Sequence, residues 1–184
     1  MSDGAHPERK RSARTRSPVP GLEIDVLREA GEWESGVEET VRRAAEHAFV
    51  VTRGGEAAEL CIVLADDALV AKLNKAYRGK DKPTNVLSFP QIQPDLLETL
   101  ANTDDGEALL GDIILAYETC RDEASAKNIS FSHHVSHLIV HGSLHLLGYD
   151  HENEIDAGLM ENCEINALAT LGIANPYAEQ AQNR

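Results

Sequence analysis

The sequence predicts a single α+β domain in which a sheet of about four strands is covered by about five helices. The 184-residue chain has the length of one domain, and such a chain can bury a core without disulfides. Short apolar runs and helical patterns follow one another in the order β-α-β-α-β-β-α-α-α. This order contains no regular β-α repeat, which favours an α+β domain over a parallel α/β fold.

Strands and helices alternate through the first half of the chain. Residues 22–26 alternate apolar and charged side chains, as in a half-buried strand, and residues 32–51 carry apolar side chains at helical spacing. The β-rich run at residues 59–65 predicts a second strand. Asp66 and Asp67 can cap the next helix. We expect this helix to reach about Tyr77, with an inward face of Leu69, Leu73 and Tyr77.

Two further strands precede the helical second half. Val86, Leu87 and Phe89 predict a third strand closed by Pro90, and residues 111–116 predict a fourth. Between them, polar residues 91–108 predict a long mobile loop of the kind that often carries function.

Three helices complete the predicted domain. The first spans residues 117–128, and Ser132 can cap the second, which is rich in histidine. The third spans residues 156–171 and ends at Gly172. Its predicted inward residues are Leu159, Met160, Cys163, Ile165 and Leu168.

Composition restricts the location and the class of function. A net charge of -14 argues against a generic nucleic-acid binder.

The chain divides into three predicted parts. Residues 1–20 predict a disordered basic arm, residues 21–172 the folded domain, and residues 173–184 a polar tail. The chain has no run of 18 apolar residues, no apolar leader, and three scattered cysteines expected to be buried filler, so we expect a cytoplasmic protein without a membrane span.

Residues 72–82 form a cationic segment within this acidic chain. Such a segment can steer a phosphate chain to one place, although a solvated surface is the ordinary explanation for a charge run. Its cationic residues are Lys72, Lys75, Arg78, Lys80 and Lys82, and its one acidic residue is Asp81.

The densest chemical signal is a histidine cluster near the C-terminus. His141 and His145 are four residues apart and share one face of the predicted helix. Gly148 can end that helix in a left-handed turn and bring His151 to the same point. Three imidazoles around an open fourth position are typical of catalytic zinc, so we predict one zinc ion per chain on this late helix and the following turn.

The same spacing matches the metzincin protease motif except at one position. Gly142 stands where those enzymes carry a glutamate general base. Another residue or the substrate must then supply the base, or the chemistry must differ. Asp112 and Asp150 are candidates to orient the imidazoles, although turn formation and capping explain them equally well.

His137 extends the histidine column by one more helical turn. It lies eight residues from His145, about 12 Å along the helix axis, and so cannot readily join the same tetrahedral site. Three roles are open to it: orienting one of the metal-binding histidines, lying in the core with its hydrogen bonds satisfied, or contacting substrate. Substrate contact is the role we assign to it.

Four stretches of the chain together resemble one family. The stretches are Leu73-Asn74-x-x-Tyr77-Arg78, residues 83–90 (PTNVLSFP), residues 110–113 (LGDI) and His141-Gly142-x-Leu144-His145-Leu146-x-Gly148-Tyr149-Asp150-His151. Together they resemble the YbeY family of bacterial endoribonucleases, also called ribosomal RNA maturation factors, and the resemblance covers about residues 22–172.

The resemblance implies a metal-dependent endoribonuclease that cuts single-stranded RNA in ribosomal RNA processing and small-subunit quality control. It implies zinc on His141, His145 and His151, and a catalytically important Arg78. The implied partners are ribosomal RNA and either small-subunit proteins or an assembly GTPase. The family often has aspartate where this chain has Asn85, so a role for that charge is absent here.

These residues suggest a mechanism. The guanidinium of Arg78 suits a phosphate bidentately and would hold the scissile phosphate together with zinc, while Lys75, Lys80 and Lys82 would hold flanking phosphates. Two alternatives stay open, namely a zinc hydrolase of another substrate class and a ribosome-assembly binding factor whose zinc is structural.

Overall fold

The computed structural model describes residues 15–52, 57–91 and 108–181. The strands are β1 (Thr15–Arg16), β2 (Leu22–Arg28), β3 (Ala58–Ala65), β4 (Val86–Pro90) and β5 (Ala108–Ala116). The helices are α1 (Val37–Thr52), α2 (Asp67–Arg78), α3 (Tyr117–Ala126), α4 (Phe131–Leu146), α5 (Glu154–Thr170) and the four-residue α6 (Ala178–Ala181). The predicted order of four main strands and five main helices is confirmed.

The strands form one mixed sheet in the order β1-β2-β3-β5-β4. The central strands β2, β3 and β5 are parallel, and the short β1 and the outer β4 run antiparallel to their neighbours. Thr15–Arg16 therefore pair with β2, so the predicted disorder of residues 1–20 does not hold there. Residues 1–14 and most of the predicted 91–108 loop lie outside the described residues.

Helices cover both faces of the sheet unequally. The larger core lies between one face and helices α1, α4 and α5, and it buries Ile62 and Ile113 of the sheet beneath Ile139 of α4. The smaller core lies under α2 on the other face and contains Val70, Leu87 and Ile114. Helix α4 is thus the central element of the thicker layer, because both neighbouring helices and the sheet contact it.

Several helix details differ from the sequence prediction. Helix α1 begins at Val37 rather than at residue 32, because the preceding loop turns inward to bury Trp33, whose Nε1 donates to the carbonyls of Ala30 and Ala65. The cap of α4 is Ser130 rather than Ser132, and its hydroxyl accepts from the His133 N–H at 3.1 Å. Asp66 caps α2 as predicted, accepting from the Leu69 N–H.

Two residues assigned to inward helix faces are exposed instead. Tyr77 is 71 % exposed at the end of α2, and Leu159 is 56 % exposed on α5. All three cysteines are free thiols, and Cys120 alone among them is fully buried. No helix within the described ranges is long and apolar enough to cross a bilayer.

Candidate metal centre

The histidines are positioned by helix α4, whose other faces are anchored in the core. Val135, Ile139 and Leu144 are fully buried, which fixes the rotation of the helix about its axis. His141 and His145 then fall on a half-buried face that opens toward the surface. Their rings lie 4.6 Å apart between centroids, as expected for side chains one helical turn apart.

Gly148 turns the chain so that the third histidine returns to the same point. Its φ of 93° lies in the left-handed region, and the Tyr149 N–H bonds back to the Leu144 carbonyl at 3.0 Å. The His151 ring consequently lies 5.1 Å from that of His145 and 5.7 Å from that of His141. One possible ligand atom from each histidine lies within 4.8 Å of the other two, so the predicted cluster forms and could hold a metal ion.

Hydrogen bonds fix which ring nitrogens face the common point. His145 Nδ1 lies 3.0 Å from the Tyr149 carbonyl, which can only accept, so Nδ1 carries the proton. His141 Nδ1 lies 2.5 Å from a carboxylate oxygen of Glu164 and donates likewise. The two Nε2 atoms are left 3.1 Å apart with lone pairs directed at each other. A cation between them would satisfy both, and burial, together with the neighbouring His141, lowers the pKa of His145 and keeps it neutral as a ligand must be.

The carboxylate that orients His141 is Glu164 of α5, which the sequence analysis missed. Its side chain is 1 % exposed and accepts hydrogen bonds from His141, from His137 Nε2 at 3.2 Å and from the hydroxyl of Tyr177. Burial raises the pKa of Glu164, but these three donors outweigh it and lower the pKa to about 2, so the carboxylate stays charged. One signal was available, because Glu164 interrupts the apolar stripe of Met160 and Leu168.

The two aspartates proposed for this orienting role occupy other positions. Asp150 Oδ1 accepts from the backbone N–H of His151 at 2.7 Å and so forms part of the turn. Asp112 adjoins Ile113, whose side chain lies in the core under α4. Because side chains alternate along a strand, Asp112 lies on the opposite face of the sheet, away from the imidazoles.

Replacing Glu164 with glutamine should weaken metal binding by about 10- to 100-fold, the usual effect of losing a group that orients a ligating histidine. Glutamine keeps the shape but removes the charge that holds the His141 Nδ1 proton. The measurement is metal affinity by competition with a chromogenic chelator. Glu161→Gln, an exposed position on the same helix, is the matched control, and equal affinities of the two variants would contradict the role of Glu164.

Tight packing explains why glycine occupies position 142. A Cβ there would lie 3.0 Å from Ile113 Cγ2 and 3.4 Å from two more atoms of that side chain. The position faces the sheet, so a larger side chain would point into the core rather than toward the three imidazoles. The protease base is therefore absent for a structural reason.

Gly142→Glu should lower the free energy of unfolding by about 1–3 kcal/mol or more, because it overpacks the core and buries a charge. Gly158→Glu is the matched control, since a Cβ at position 158 of α5 meets nothing within 4 Å. Urea denaturation of both variants tests this. A Gly142→Glu protein as stable as Gly158→Glu would show that the helix can move away from Ile113.

The imidazoles open into a surface cavity of about 660 Å³. Arg78 and Ser88 line the same cavity, and Arg78 donates from Nη2 to the Ser88 carbonyl at 3.3 Å. Asn85 also lines this cavity, and its amide donates to both carboxylate oxygens of Glu123 at 3.0 and 3.3 Å. An aspartate at position 85 would instead place two carboxylates together.

A second cavity of about 360 Å³ adjoins the first and shares Arg78, Thr84 and Asn85 with it. Lys80 and Lys82 line this second cavity, whereas Lys75 lines neither and pairs with Asp81 at 3.1 Å.

His137 does not line the cavity of the imidazoles. It contacts Glu164 and packs edge-on against Tyr177, with ring centroids 5.7 Å apart. His137 thus lies behind the predicted metal ligands. This position favours a role in supporting those ligands over the substrate contact that we assigned to it.

Comparison with known proteins identifies the family of this chain. The family model described as Endoribonuclease YbeY matches residues 24–172. A Parvibaculum lavamentivorans protein named Endoribonuclease YbeY is 61 % identical over 178 residues, covering 96 % of each chain. One of the same name from Sphingopyxis alaskensis is 63 % identical over 122 residues, covering 66 % of this chain and 73 % of that protein.

A solution structure of a Thermotoga maritima protein has a similar fold. It superimposes with a TM-score of 0.51 at 22 % identity, covering 80 % of this chain and 91 % of that one.

Proposed function

The chain belongs to the YbeY family, whose named relatives above are endoribonucleases, and we propose that it is a zinc-dependent endoribonuclease that cuts single-stranded RNA. We further propose that its substrate is ribosomal RNA, that it acts in the cytoplasm in rRNA maturation and small-subunit quality control, and that small-subunit proteins or an assembly GTPase are its partners. The observation that carries the enzymatic part is one cavity lined both by three convergent imidazoles and by Arg78.

The donor set suits zinc in a catalytic arrangement. Three imidazoles, here those of His141, His145 and His151, are a known catalytic ligand set, and among the described residues this group contains no fourth His, Cys, Asp or Glu. Bound there, zinc would supply Lewis-acid polarisation of a phosphoryl oxygen and activation of water. The lack of a fourth protein ligand in the described part of the chain counts against an assembly factor with a purely structural zinc.

Arg78 is proposed to bind the scissile phosphate. Its guanidinium presents paired N–H donors that match two phosphoryl oxygens and stabilise the charge that develops as the bond breaks. Lys80 and Lys82 line the adjoining cavity and would hold a neighbouring phosphate, whereas Lys75 is engaged by Asp81 and is the weakest of the predicted contacts.

Two nucleophiles are compatible with the site, because among the described residues the carboxylates at the cavity wall are exposed and none is fixed as a general base. Gly142 cannot accept a proton, and the carboxylates at the cavity wall, Asp150 and Glu152, are exposed. The attacking group is then either water or the 2′-hydroxyl of the RNA itself. Attack by the 2′-hydroxyl would restrict cleavage to RNA, whereas attack by water would allow DNA to be cut as well.

The decisive experiment combines metal analysis with cleavage of matched single strands. We expect about one zinc per chain in purified protein, cleavage of single-stranded RNA, loss of cleavage with a chelator, and recovery on adding zinc. Duplex RNA should be resistant. Metal-loaded protein that binds RNA but leaves it intact would favour the assembly factor, and cleavage of peptides in place of RNA would favour another zinc hydrolase.

A further inference from the structure

Residues Lys75–Pro83, which we term the basic segment, are the end of α2 and the loop that follows it, beside the cavity of the metal centre. Every residue in it is exposed, and it carries four cationic side chains and one carboxylate on a chain of net charge -14. An exposed aromatic ring, that of Tyr77, lies among these cations. Cationic and aromatic side chains interleaved in this way are typical of surfaces that bind single-stranded nucleic acid.

Hydrogen bonds to the end of α2 fix the conformation of the basic segment. Gly79 adopts a left-handed φ of 68° and ends α2, with its N–H directed to the carbonyls of Asn74 and Lys75. The buried Asn74 donates from Nδ2 to the Lys82 carbonyl at 2.8 Å and so closes the loop onto the helix. A preformed surface of this kind loses little conformational entropy when it binds a ligand.

Tyr77 lies exposed near the C-terminal end of α2. The residue continues the apolar face of Leu69 and Leu73, yet its ring contacts Phe89 of β4, the last strand in the described sheet, at 5.3 Å between centroids. Its side chain is 71 % exposed, whereas Leu69 and Leu73 on the same face are partly buried. The two rings are tilted by 57° to each other, so Phe89 supports the tyrosine ring from an angle while the exposed ring offers a surface for stacking.

The Tyr77 ring adjoins the proposed phosphate clamp. The guanidinium carbon of Arg78 lies 6.0 Å from the centroid of the Phe89 ring that also supports Tyr77. Arg78 in turn lines both cavities. A strand whose phosphate is held by Arg78 therefore has a neighbouring base within reach of Tyr77.

We propose that Tyr77 is a stacking site for an unpaired nucleobase next to the cleaved bond. Such a site gives a physical reason for selecting single strands, because a base within a duplex keeps both faces stacked on its neighbours and cannot cover the tyrosine ring. This inference deepens the proposed function and rests on it for the identity of the ligand as RNA.

Substitutions at Tyr77 test the proposal. Tyr77→Ala should weaken binding of a short single strand by about 5- to 100-fold, the range expected for loss of one base–aromatic stack. The corresponding rise in KM for RNA cleavage should leave kcat and zinc content close to wild type. Tyr77→Phe should retain wild-type binding, whereas Tyr77→Leu should not, since leucine keeps an apolar surface without a π face. Val50→Ala, at an exposed residue of α1, is the control for loss of exposed apolar area.

A strand lacking one base locates the contact. An oligonucleotide series with a single abasic position should contain one member that binds wild type more weakly but is insensitive to Tyr77→Ala, because both changes remove the same interaction. Wild-type affinity in Tyr77→Ala, or equal rescue by leucine and phenylalanine, would overturn the stacking site. Binding is measured by fluorescence anisotropy on RNA and DNA strands, so the stacking site remains testable even where wild type cuts neither and the proposed function fails.

Discussion

Replacing His151 with alanine is expected to weaken metal binding by more than about 100-fold, since even groups that only orient a ligand contribute 10- to 100-fold. Cleavage of RNA should fall in parallel. His151 is exposed and lies after α4, so its loss removes a ligand without opening a cavity in the core. The measurements are the zinc-to-protein ratio after dialysis and the cleavage rate at limiting and saturating zinc.

His145→Ala should produce the same loss of metal and cleavage together, with an added loss of stability. Its Nδ1 hydrogen bond to the Tyr149 carbonyl helps to hold the turn that presents His151. His133→Ala is the matched control, because His133 is an exposed histidine at the start of the same helix. Full zinc binding by either ligand variant would refute the three-histidine centre, whatever its activity.

Arg78→Ala is expected to retain zinc and fold while losing cleavage by about 10²- to 10³-fold, the usual effect of removing one donor that stabilises transition-state charge. Arg78 is exposed, and its polar contact to the Ser88 carbonyl, at 3.3 Å, is long for a strong hydrogen bond. The native structure therefore depends little on it, and the loss should appear mainly in kcat.

Arg78→Lys separates geometry from charge. Lysine keeps the positive charge but lacks the planar pair of donors, so we expect it to restore binding of the strand more than the cleavage rate. Arg121→Ala is the matched control, because Arg121 is an exposed arginine that also lies over an aromatic ring, that of Tyr117 at 5.7 Å. Cleavage by Arg78→Ala at the wild-type rate would remove the phosphate clamp from the mechanism.

Glu164 and Tyr177 could not be predicted from sequence for the same reason. Glu164 was missed because the residues that contact it, His141 and Tyr177, are 23 and 13 positions away in the chain. Tyr177 was assigned to a polar tail, but its hydroxyl donates to Glu164 behind the predicted ligands. Burial and this hydrogen bond raise the pKa of Tyr177. No periodicity or spacing relates these segments, because the packing of α5 on α4 brings them together.

Local misassignments have a different cause. Ser130 and Ser132 both offer a capping hydroxyl, and the extended backbone at Ser130, with φ -65° and ψ 145°, identifies the true cap. Tyr77 satisfied the spacing of an inward face, yet it is 71 % exposed and contacts Phe89 of β4 from the end of α2. Helical periodicity predicts which side chains share a face, but it does not predict how far the partner surface extends.

Local sequence was enough to predict the order of the elements and the convergence of His141, His145 and His151, because a helical turn and one left-handed glycine fix those positions. Only the packed fold shows that Glu164 orients the first imidazole, that Arg78 lines the same cavity as the cluster, that Lys80 and Lys82 rather than Lys75 line the adjoining cavity, and that Gly142 is pressed against Ile113. These relations join distant segments of the chain, and the burial of apolar surface between α4, α5 and the sheet sets them.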